Sequence, residues 1–193
     1  MVETNVKNTA VADKAFPSTQ PQRGKRRRRD SGSGYKKSLQ EKQTLKRLYN
    51  LSEKQFKKYV FETLGKRHKS ENVSDELIKR LERRLDNVVF RLGFAKTRKQ
   101  ARQIVSHAYF KVNGKPVNIP SFQVEREDVV TIKEHKKNKL IFKDLPNEIK
   151  KIETPKWLEI NKENLQATVV ADPTLAEVNP PVEISLIFEF YSR

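Results

Sequence analysis

The chain has 193 residues, and its 41 Lys and Arg residues against 24 Asp and Glu residues give a net charge of +17. This length fits one or two modest domains and excludes a large enzyme core. The absence of cysteine excludes disulfides, cysteine zinc sites and thiol nucleophiles, and no apolar run approaches the ~18 residues that a membrane helix needs. We therefore expect a polyanion as the partner, and no membrane.

The first 34 residues are predicted to form a basic arm. They show no apolar periodicity and contain the run Lys25-Arg26-Arg27-Arg28-Arg29. Such a segment cannot bury enough apolar surface to offset its ordering entropy. It either stays solvated, as a tail or a nuclear-localisation-like run, or orders against phosphates. The net charge of +13 in residues 1–70, against +7 in residues 71–150 and −3 in residues 151–193, favours phosphates.

Two helices are predicted between residues 38 and 64. Apolar residues recur there mostly at spacings of three and four, and the pattern breaks near Tyr49–Leu51. Ser52 and Gln55 have the spacing of a capping box at the start of the second helix, and Gly65 is predicted to end it.

Two more helices are predicted around a short turn. The third runs from Ser74, as its N-cap, to Leu92, and the fourth begins at Thr97, which has Gln100 at the spacing of a capping box. Gly93 fits the residue after a helix end. Each of these helices has an apolar stripe and a cationic face.

The remainder is predicted to be rich in strands. Asn113-Gly114 is typical of a tight turn and predicts a hairpin from Tyr109 to Val117. Further strands are predicted over residues 124–132, 157–160, 167–170 and 184–191, and a helix over 140–152. Helices followed by a strand-rich end indicate an α+β fold.

The sequence contains no pattern typical of an enzyme. Its six glycines are scattered rather than gathered in a phosphate loop, and His68, His107 and His135 show no metal-ligand spacing. We therefore expect no catalytic residue, no metal, no cofactor and no small-molecule substrate.

Cations dominate the two central helices. From Lys79 to Arg102 there are nine cations and two acids, so few ion pairs within the helices are available to neutralise them. Arg outnumbers Lys six to three, which favours bidentate contacts with phosphates. We predict that Arg91, Arg98 and Arg102 face one RNA groove, and that replacing them barely changes folding.

The same two helices also fit a helix-turn-helix that reads DNA. A DNA regulator usually needs a dimerisation element and one compact reading head. The basic surface of this chain extends over about 110 residues plus an arm, and this favours a large structured RNA that is recognised by shape and phosphates.

Several segments resemble one family. The stretch Arg84–Phe122, RLDNVVFRLGFAKTRKQARQIVSHAYFKVNGKPVNIPSF, resembles the RNA-binding domain of the small-subunit ribosomal protein S4 family. Arg23–Tyr59 is similar to the N-terminal helical domain of that family, and Pro155–Leu158 also fits. Glu189–Arg193, EFYSR, resembles the end of its bacterial and organellar members. RNA-modifying enzymes share the central domain, but not the flanking helices or EFYSR, and this chain has no room for their catalytic domain.

The resemblance implies a non-enzymatic structural constituent of the small ribosomal subunit, with a mostly antiparallel sheet in its RNA-binding domain. It implies an arm over residues 1–34, a helical domain over 35–82 with 175–193 packed nearby, and an S4-type RNA-binding domain with a strand-rich extension over 83–174. The alternative function is that of a free RNA-binding regulator acting on messenger RNA.

The resemblance also implies a place in the cell and a set of partners. The protein would bind small-subunit ribosomal RNA directly, nucleate assembly of the subunit body and lie near the messenger entry path. Its partners would be that RNA, the neighbouring ribosomal protein S5 and messenger RNA. Its location would be the cytoplasmic ribosome of a bacterial type, with an organellar ribosome as the alternative.

The candidate RNA contacts come from this resemblance and from the cationic helix faces. His107 fits equally a helix-end residue that complements the helix dipole. The chain departs from the family in lacking the cysteines of an N-terminal zinc knuckle, in its first 22 residues, and at Ala108, Tyr109 and Glu127. The candidates are Arg23, Lys25, Arg26, Arg27, Arg28, Arg29, Lys36, Lys37, Lys42, Lys46, Arg47, Arg83, Arg84, Arg91, Arg98, Lys99, Arg102, His107, Asn113 and Lys115.

Overall fold

The computed structural model describes residues 31–66, 72–143, 145, 149, 152–161 and 164–192. The predicted arm up to residue 30, with Arg23 and the Lys25–Arg29 run, lies outside these residues. The chain from Ser31 to Arg193 forms one compact unit.

Three helices open the described part. The capping box at the second is confirmed, because Ser52 Oγ accepts from the Gln55 N–H at 3.3 Å and Gln55 Oε1 accepts from the Ser52 N–H at 3.2 Å. The second helix also ends at Gly65, as predicted. The first begins earlier than residue 38. The three are α1 Ser31–Leu48, α2 Glu53–Gly65 and α3 Val73–Glu82.

The N-cap of α3 differs from the prediction. Ser74 lies inside the helix, and Asn72 caps it instead. The Asn72 side-chain oxygen accepts from the backbone N–H groups of Ser74 at 3.0 Å and Asp75 at 3.4 Å. Both residue types are good N-caps, so the sequence pattern alone could not choose between them.

The predicted third helix is interrupted, and its second half is a separate helix, α4, over Leu85–Arg91. Arg84 has an extended backbone, with φ −65° and ψ 133°. The chain near Phe122 pairs with this break: the Leu85 N–H donates to the Phe122 carbonyl at 2.8 Å, and the Val124 N–H donates to the Arg83 carbonyl at 2.9 Å. Tertiary pairing thus overrides a helical periodicity that continues across the break.

The next helix, α5, spans Arg98–Ser106. Thr97 Oγ1 caps it by accepting from the Gln100 N–H at 3.1 Å. Gln100 Oε1 accepts from the N–H of Lys96 at 2.8 Å, one residue earlier than a capping box requires. The turn between α4 and α5 contains Gly93 at φ +78°, a conformation that glycine adopts without strain.

A five-stranded antiparallel sheet follows, with the strand order β2-β1-β3-β5-β4. The predicted hairpin is confirmed, with Asn113 at φ +49° and Gly114 at φ +77° in the turn. The Asn113 side chain braces it, donating to Asp128 at 2.6 Å and accepting from the Val129 N–H at 2.8 Å. The strands are β1 Phe110–Val112, β2 Lys115–Val117, β3 Val129–Ile132, β4 Leu158–Asn161 and β5 Gln166–Val169.

Short helical segments lie between β3 and β4. They are α6, Glu134–Lys137, and a 3₁₀ turn, Leu140–Phe142. Part of the helix predicted over 140–152 falls outside the described residues. Leu145 and Ile149 within that range are helical and buried.

The strand predicted over 184–191 is wrong, because this segment is helical. A short helix, α7 Leu175–Val178, precedes α8, Ile184–Ser192. The apolar residues of this stretch fit both the strand period of two and the helical period of 3.6. The buried pair Ile184 and Ile187 are three residues apart, as on one face of a helix.

Two apolar clusters hold the described part together. The helical core joins α1, α2, α3 and α8, and the sheet core joins α4, α5 and the sheet. The helical core contains Leu45, Phe56, Val60, Leu77, Ile78, Leu81, Ile184 and Ile187. The sheet core contains Leu85, Val88, Phe94, Ile104, Phe110, Val130, Trp157 and Ala167, among others.

Candidate RNA-binding surface

The described candidates divide into an exposed group and an internally bonded group. In the second group, the side chains are buried or half-buried, and their cationic nitrogens donate to the protein's own oxygens at 3.0 Å or less. It comprises Lys42, Lys46, Arg83, Arg84, Arg91 and Arg98. The first group, called the exposed candidates below, comprises Lys36, Lys37, Arg47, Lys99, Arg102, His107, Asn113 and Lys115. Arg102 is the half-buried member of this group.

Lys42 and Lys46 bind one carboxylate. Lys42 Nζ donates to Glu53 Oε1 at 2.8 Å, and Lys46 Nζ donates to Glu53 Oε2 at 2.9 Å. Lys42 is only 6% exposed and also lies 4.4 Å from the centre of the Phe190 ring. Burial raises the pKa of Glu53, but hydrogen bonds from the two lysines and the Tyr191 hydroxyl outweigh it and lower the pKa to about 2. Lys42 therefore anchors α8 to α1 and α2 instead of facing solvent.

Arg84 is buried at the start of α4, with 1% of its surface exposed. Its Nε and Nη2 donate to the two oxygens of Asp86, at 3.0 and 2.6 Å, and its Nη1 donates to the Tyr59 hydroxyl at 2.7 Å. Burial lowers the pKa of Arg84, but these partners outweigh it and raise the pKa above its ordinary value. The Arg84 guanidinium thus bonds α2 to α4 inside the protein, and its assignment to RNA stays a prediction that these bonds count against.

Arg91 and Arg98 meet around a buried carboxylate. Glu82 is 0% exposed and accepts from Arg91 Nε at 3.0 Å and Arg91 Nη2 at 2.7 Å. Arg98 lies over the rings of Phe90, at 4.4 Å, and Tyr49, at 5.1 Å. These internal bonds count against the expectation that replacing the two arginines barely changes folding.

The pKa directions around this carboxylate follow from burial and charge. Burial raises the pKa of the Tyr49 hydroxyl well above its ordinary value, and the nearby Glu82 charge raises it further. Burial lowers the pKa of Arg91, but Glu82 outweighs it and raises that pKa, whereas burial lowers the pKa of Arg98. Glu82 thus favours the charged form of the arginine that binds it and the neutral form of Tyr49.

Acids from distant parts of the chain explain the cations that appeared unpaired in the sequence. Lys79 pairs with Asp172 at 2.6 Å, and Arg80 pairs with Glu62 at 2.8 Å. Arg83 Nε donates to the Val124 carbonyl at 2.6 Å, and its other nitrogens lie 3.7 Å from Glu125 and Asp172. These ion pairs form between elements, so a count of acids within the two helices alone underestimates how many of their cations are paired.

Three of the exposed candidates also bond to the protein itself, and one of these is Asn113, whose amide bonds to Asp128 and Val129 in the hairpin. Lys37 pairs with Glu183 at 3.1 Å, and both side chains are more than half exposed. Arg102 Nη1 donates to the Asn50 carbonyl at 3.3 Å. Lys99 is exposed on α5, His107 is exposed just after α5, and Lys115 is exposed on the hairpin. Their cationic and donor groups are accessible to phosphates.

The sequence analysis missed a lysine-rich segment over residues 133–143. It carries five lysines in eleven residues, and this density was the available signal. Lys137 pairs with Glu134 at 2.8 Å, and Lys136 lies 4.7 Å from the Tyr109 ring. Leu140 at its tip is 83% exposed. This segment is therefore a further candidate contact surface.

Within the part of the chain that the structure describes, no group of three or more His, Cys, Asp or Glu residues could hold a metal ion. In the same residues, no helix is both long enough and apolar enough to cross a membrane.

Known proteins match almost the whole chain. A family model described as "Ribosomal protein S4/S9 N-terminal domain" matches residues 3–82, and one described as "S4 domain" matches residues 83–130. The small ribosomal subunit protein uS4 of Caldicellulosiruptor saccharolyticus is 45% identical over 185 residues, which cover 95% of this chain and 85% of that protein. The chain belongs to the uS4 family.

Two further uS4 relatives give the same result. The protein of Persephonella marina is 46% identical over 161 residues, covering 83% of this chain and 77% of its own. The protein of Aquifex aeolicus is 46% identical over 169 residues, covering 86% and 79%. The family and the α+β fold class expected from the sequence are therefore confirmed.

Proposed function

We propose that the chain is a structural, non-enzymatic constituent of the small ribosomal subunit that binds its ribosomal RNA. The observation that carries this proposal is 45% identity to a uS4 protein across 95% of the chain. A net charge of +17 suits a partner whose phosphates it can neutralise.

The exposed candidates are the proposed RNA contacts, together with Arg23 and the Lys25–Arg29 run. The lysine-rich segment over 133–143 joins them as a proposed contact. Lys42, Arg84, Arg91 and Arg98 are proposed to act indirectly, because their charged groups bind protein oxygens and aromatic rings.

The finer features of the proposal rest on the family resemblance. They are the nucleation of subunit-body assembly, a position near the messenger entry path, and contacts with ribosomal protein S5 and messenger RNA. The bacterial type of cytoplasmic ribosome and the division into residues 1–34, 35–82 with 175–193, and 83–174 belong to the same proposal.

Sedimentation of a cell lysate tests the function directly. After a wash at high salt, the protein is expected to comigrate with small ribosomal subunits. Recovery only in light fractions, with messenger RNA crosslinked to the protein, would instead identify a free regulator and refute the ribosomal role. A crosslinking map of the bound RNA would then locate the contacts.

A further inference from the structure

The helical core and the sheet core are separate apolar clusters, and a polar junction lies where α3 leads into α4. Glu82 ends α3, and Leu85 begins α4 only three residues later. Glu82 is 0% exposed, although a buried carboxylate is unfavourable unless it is paired and hydrogen-bonded.

Donors from three places satisfy Glu82. The hydroxyl of Tyr49, the residue just after α1, donates to Oε1 at 2.6 Å. Arg91, at the end of α4, donates through Nε and Nη2. Asn87 Nδ2, in the middle of α4, donates to Oε2 at 2.7 Å and to the Glu82 carbonyl at 3.1 Å. One carboxylate thereby joins the helical core to α4.

Arg98 extends this junction to α5. Its guanidinium lies over the ring of Tyr49, just after α1, and over the ring of Phe90 in α4. Its Nε donates to Asn87 Oδ1 at 2.8 Å. The Asn87 amide thus donates to Glu82 and accepts from Arg98. Elements from both cores meet in a single bonded group, called the Glu82 cluster: Tyr49, Glu82, Asn87, Arg91 and Arg98.

We propose that the Glu82 cluster is a positioning element that fixes the orientation of the α1–α3 helices relative to α4, α5 and the sheet. This inference rests on the proposed RNA-binding function. The exposed candidates lie on both sides of the junction: Lys36, Lys37 and Arg47 are on α1, whereas Lys99 is on α5 and Lys115 is on the hairpin. A fixed orientation lets both sets reach one RNA without an ordering cost at binding.

Hydrogen bonds suit this role because they are directional. The bonds of the cluster form in one arrangement of the four elements, because their energy depends on donor–acceptor distance and angle. The arginines therefore act on RNA binding through Glu82 and Tyr49 and not as its main phosphate contacts.

Two variants separate positioning from direct contact. Glu82→Gln removes a negative charge from a protein that binds a polyanion, so electrostatics alone predicts equal or tighter RNA binding. Tyr49→Phe removes one hydroxyl and no charge. If the cluster positions the two sides, both variants bind naked small-subunit ribosomal RNA more weakly, by about tenfold, because contacts on one side are misaligned. For both variants, the slope of log affinity against log salt concentration should equal that of the wild type, because the phosphate-binding residues are unchanged.

A destabilised protein could also bind weakly, so a matched control is needed. Val130→Ala, in the sheet core, removes buried apolar volume without touching the cluster. All variants are compared at a temperature at which thermal melts show them folded. The Val130 variant should bind like wild type; if it loses as much affinity as the cluster variants, positioning is refuted.

Orientation can be measured directly because the chain has no cysteine. Lys54→Cys on α2 and Glu159→Cys on β4 place one spin label on an exposed position of each side. The full chain with an intact cluster should give one narrow distance distribution, and Tyr49→Phe or Glu82→Gln should broaden it. Unchanged distributions in both variants would overturn the inference, whatever their affinities. Failure of the wild type to bind the RNA would refute the proposed function instead.

Discussion

Replacing Glu53 by Gln tests how strongly this carboxylate joins three helices. Glu53, at the start of α2, accepts hydrogen bonds from Lys42 and Lys46 of α1 and from the Tyr191 hydroxyl of α8, the last at 2.9 Å. Burial raises its pKa, but these bonds together lower the pKa from 4.5 to about 2.

The sign of the pH dependence follows from this lowered pKa. Because the folded protein favours the ionised carboxylate, its contribution is fully present above the unfolded pKa of 4.5 and is lost as the pH falls towards about 2. The lowering of the pKa from 4.5 to about 2 corresponds to about 3 kcal/mol as an upper bound. The Glu53 side chain is 46% exposed, so solvent screening reduces the expected contribution to about 1–2 kcal/mol.

Urea unfolding of the wild type and the Glu53→Gln variant at several pH values measures this contribution. The variant should be less stable by about 1–2 kcal/mol near neutral pH, and the two proteins should converge as the pH falls to about 2 and below, where Glu53 becomes protonated in the folded state as well as in the unfolded one. Glu183→Gln is the control, because Glu183 pairs with Lys37 where both side chains are more than half exposed, and this change should alter stability far less. A wild-type advantage that persists undiminished at pH 2 would refute this reasoning.

Three further predictions concern the internal and exposed cations. Arg84→Met leaves Asp86 buried without its charged partner, so urea unfolding should show a loss of about 3–5 kcal/mol; wild-type stability would contradict the buried assignment. The double change Lys99→Ala and Arg102→Ala should leave the melting temperature nearly unchanged, yet weaken RNA binding in filter assays by about 1.5–3 kcal/mol for each lost contact; normal binding would exclude α5 from the interface. If ~6–10 phosphates are contacted, log affinity should fall with log salt at a slope of roughly −4 to −9, and a flat slope would show that the basic surface does not bind RNA.

Local signals in the sequence predicted local structure well. The capping box of Ser52 and Gln55 and the Asn113-Gly114 turn each depend on residues within a few positions of one another. Their chemistry favours these backbone conformations without help from distant residues. The corresponding predictions are therefore confirmed.

Features that depend on distant residues were not predictable in the same way. The break at Arg84 exists because a segment almost forty residues later pairs with it. The helix over Ile184–Ser192 owes its buried face to α1, far earlier in the chain. Periodicity describes an isolated segment, and tertiary contacts decide between the two periods that this segment fits.

The candidate RNA-binding surface was also only partly predictable, because the partners of several of its cations lie on other elements. A count of charges identified a basic surface, but not which cations are neutralised by acids from other elements. Arg84 has its carboxylate partner two residues away, whereas Arg91 finds Glu82 nine residues away on another helix. The family resemblance gave the type of ligand, and only the side-chain geometry separated exposed cations from structural ones.

The contact between α8 and α1 bears on how the chain folds during its synthesis. Tyr191 binds Glu53 across 138 residues, and Tyr35 stacks on Phe190 with ring centres 5.6 Å apart. The residues of the sheet core lie between these two ends and can assemble as soon as they leave the exit tunnel. Helices α1 and α2 are made well before α8, so part of their apolar surface stays uncovered until α8 is made and packs against them.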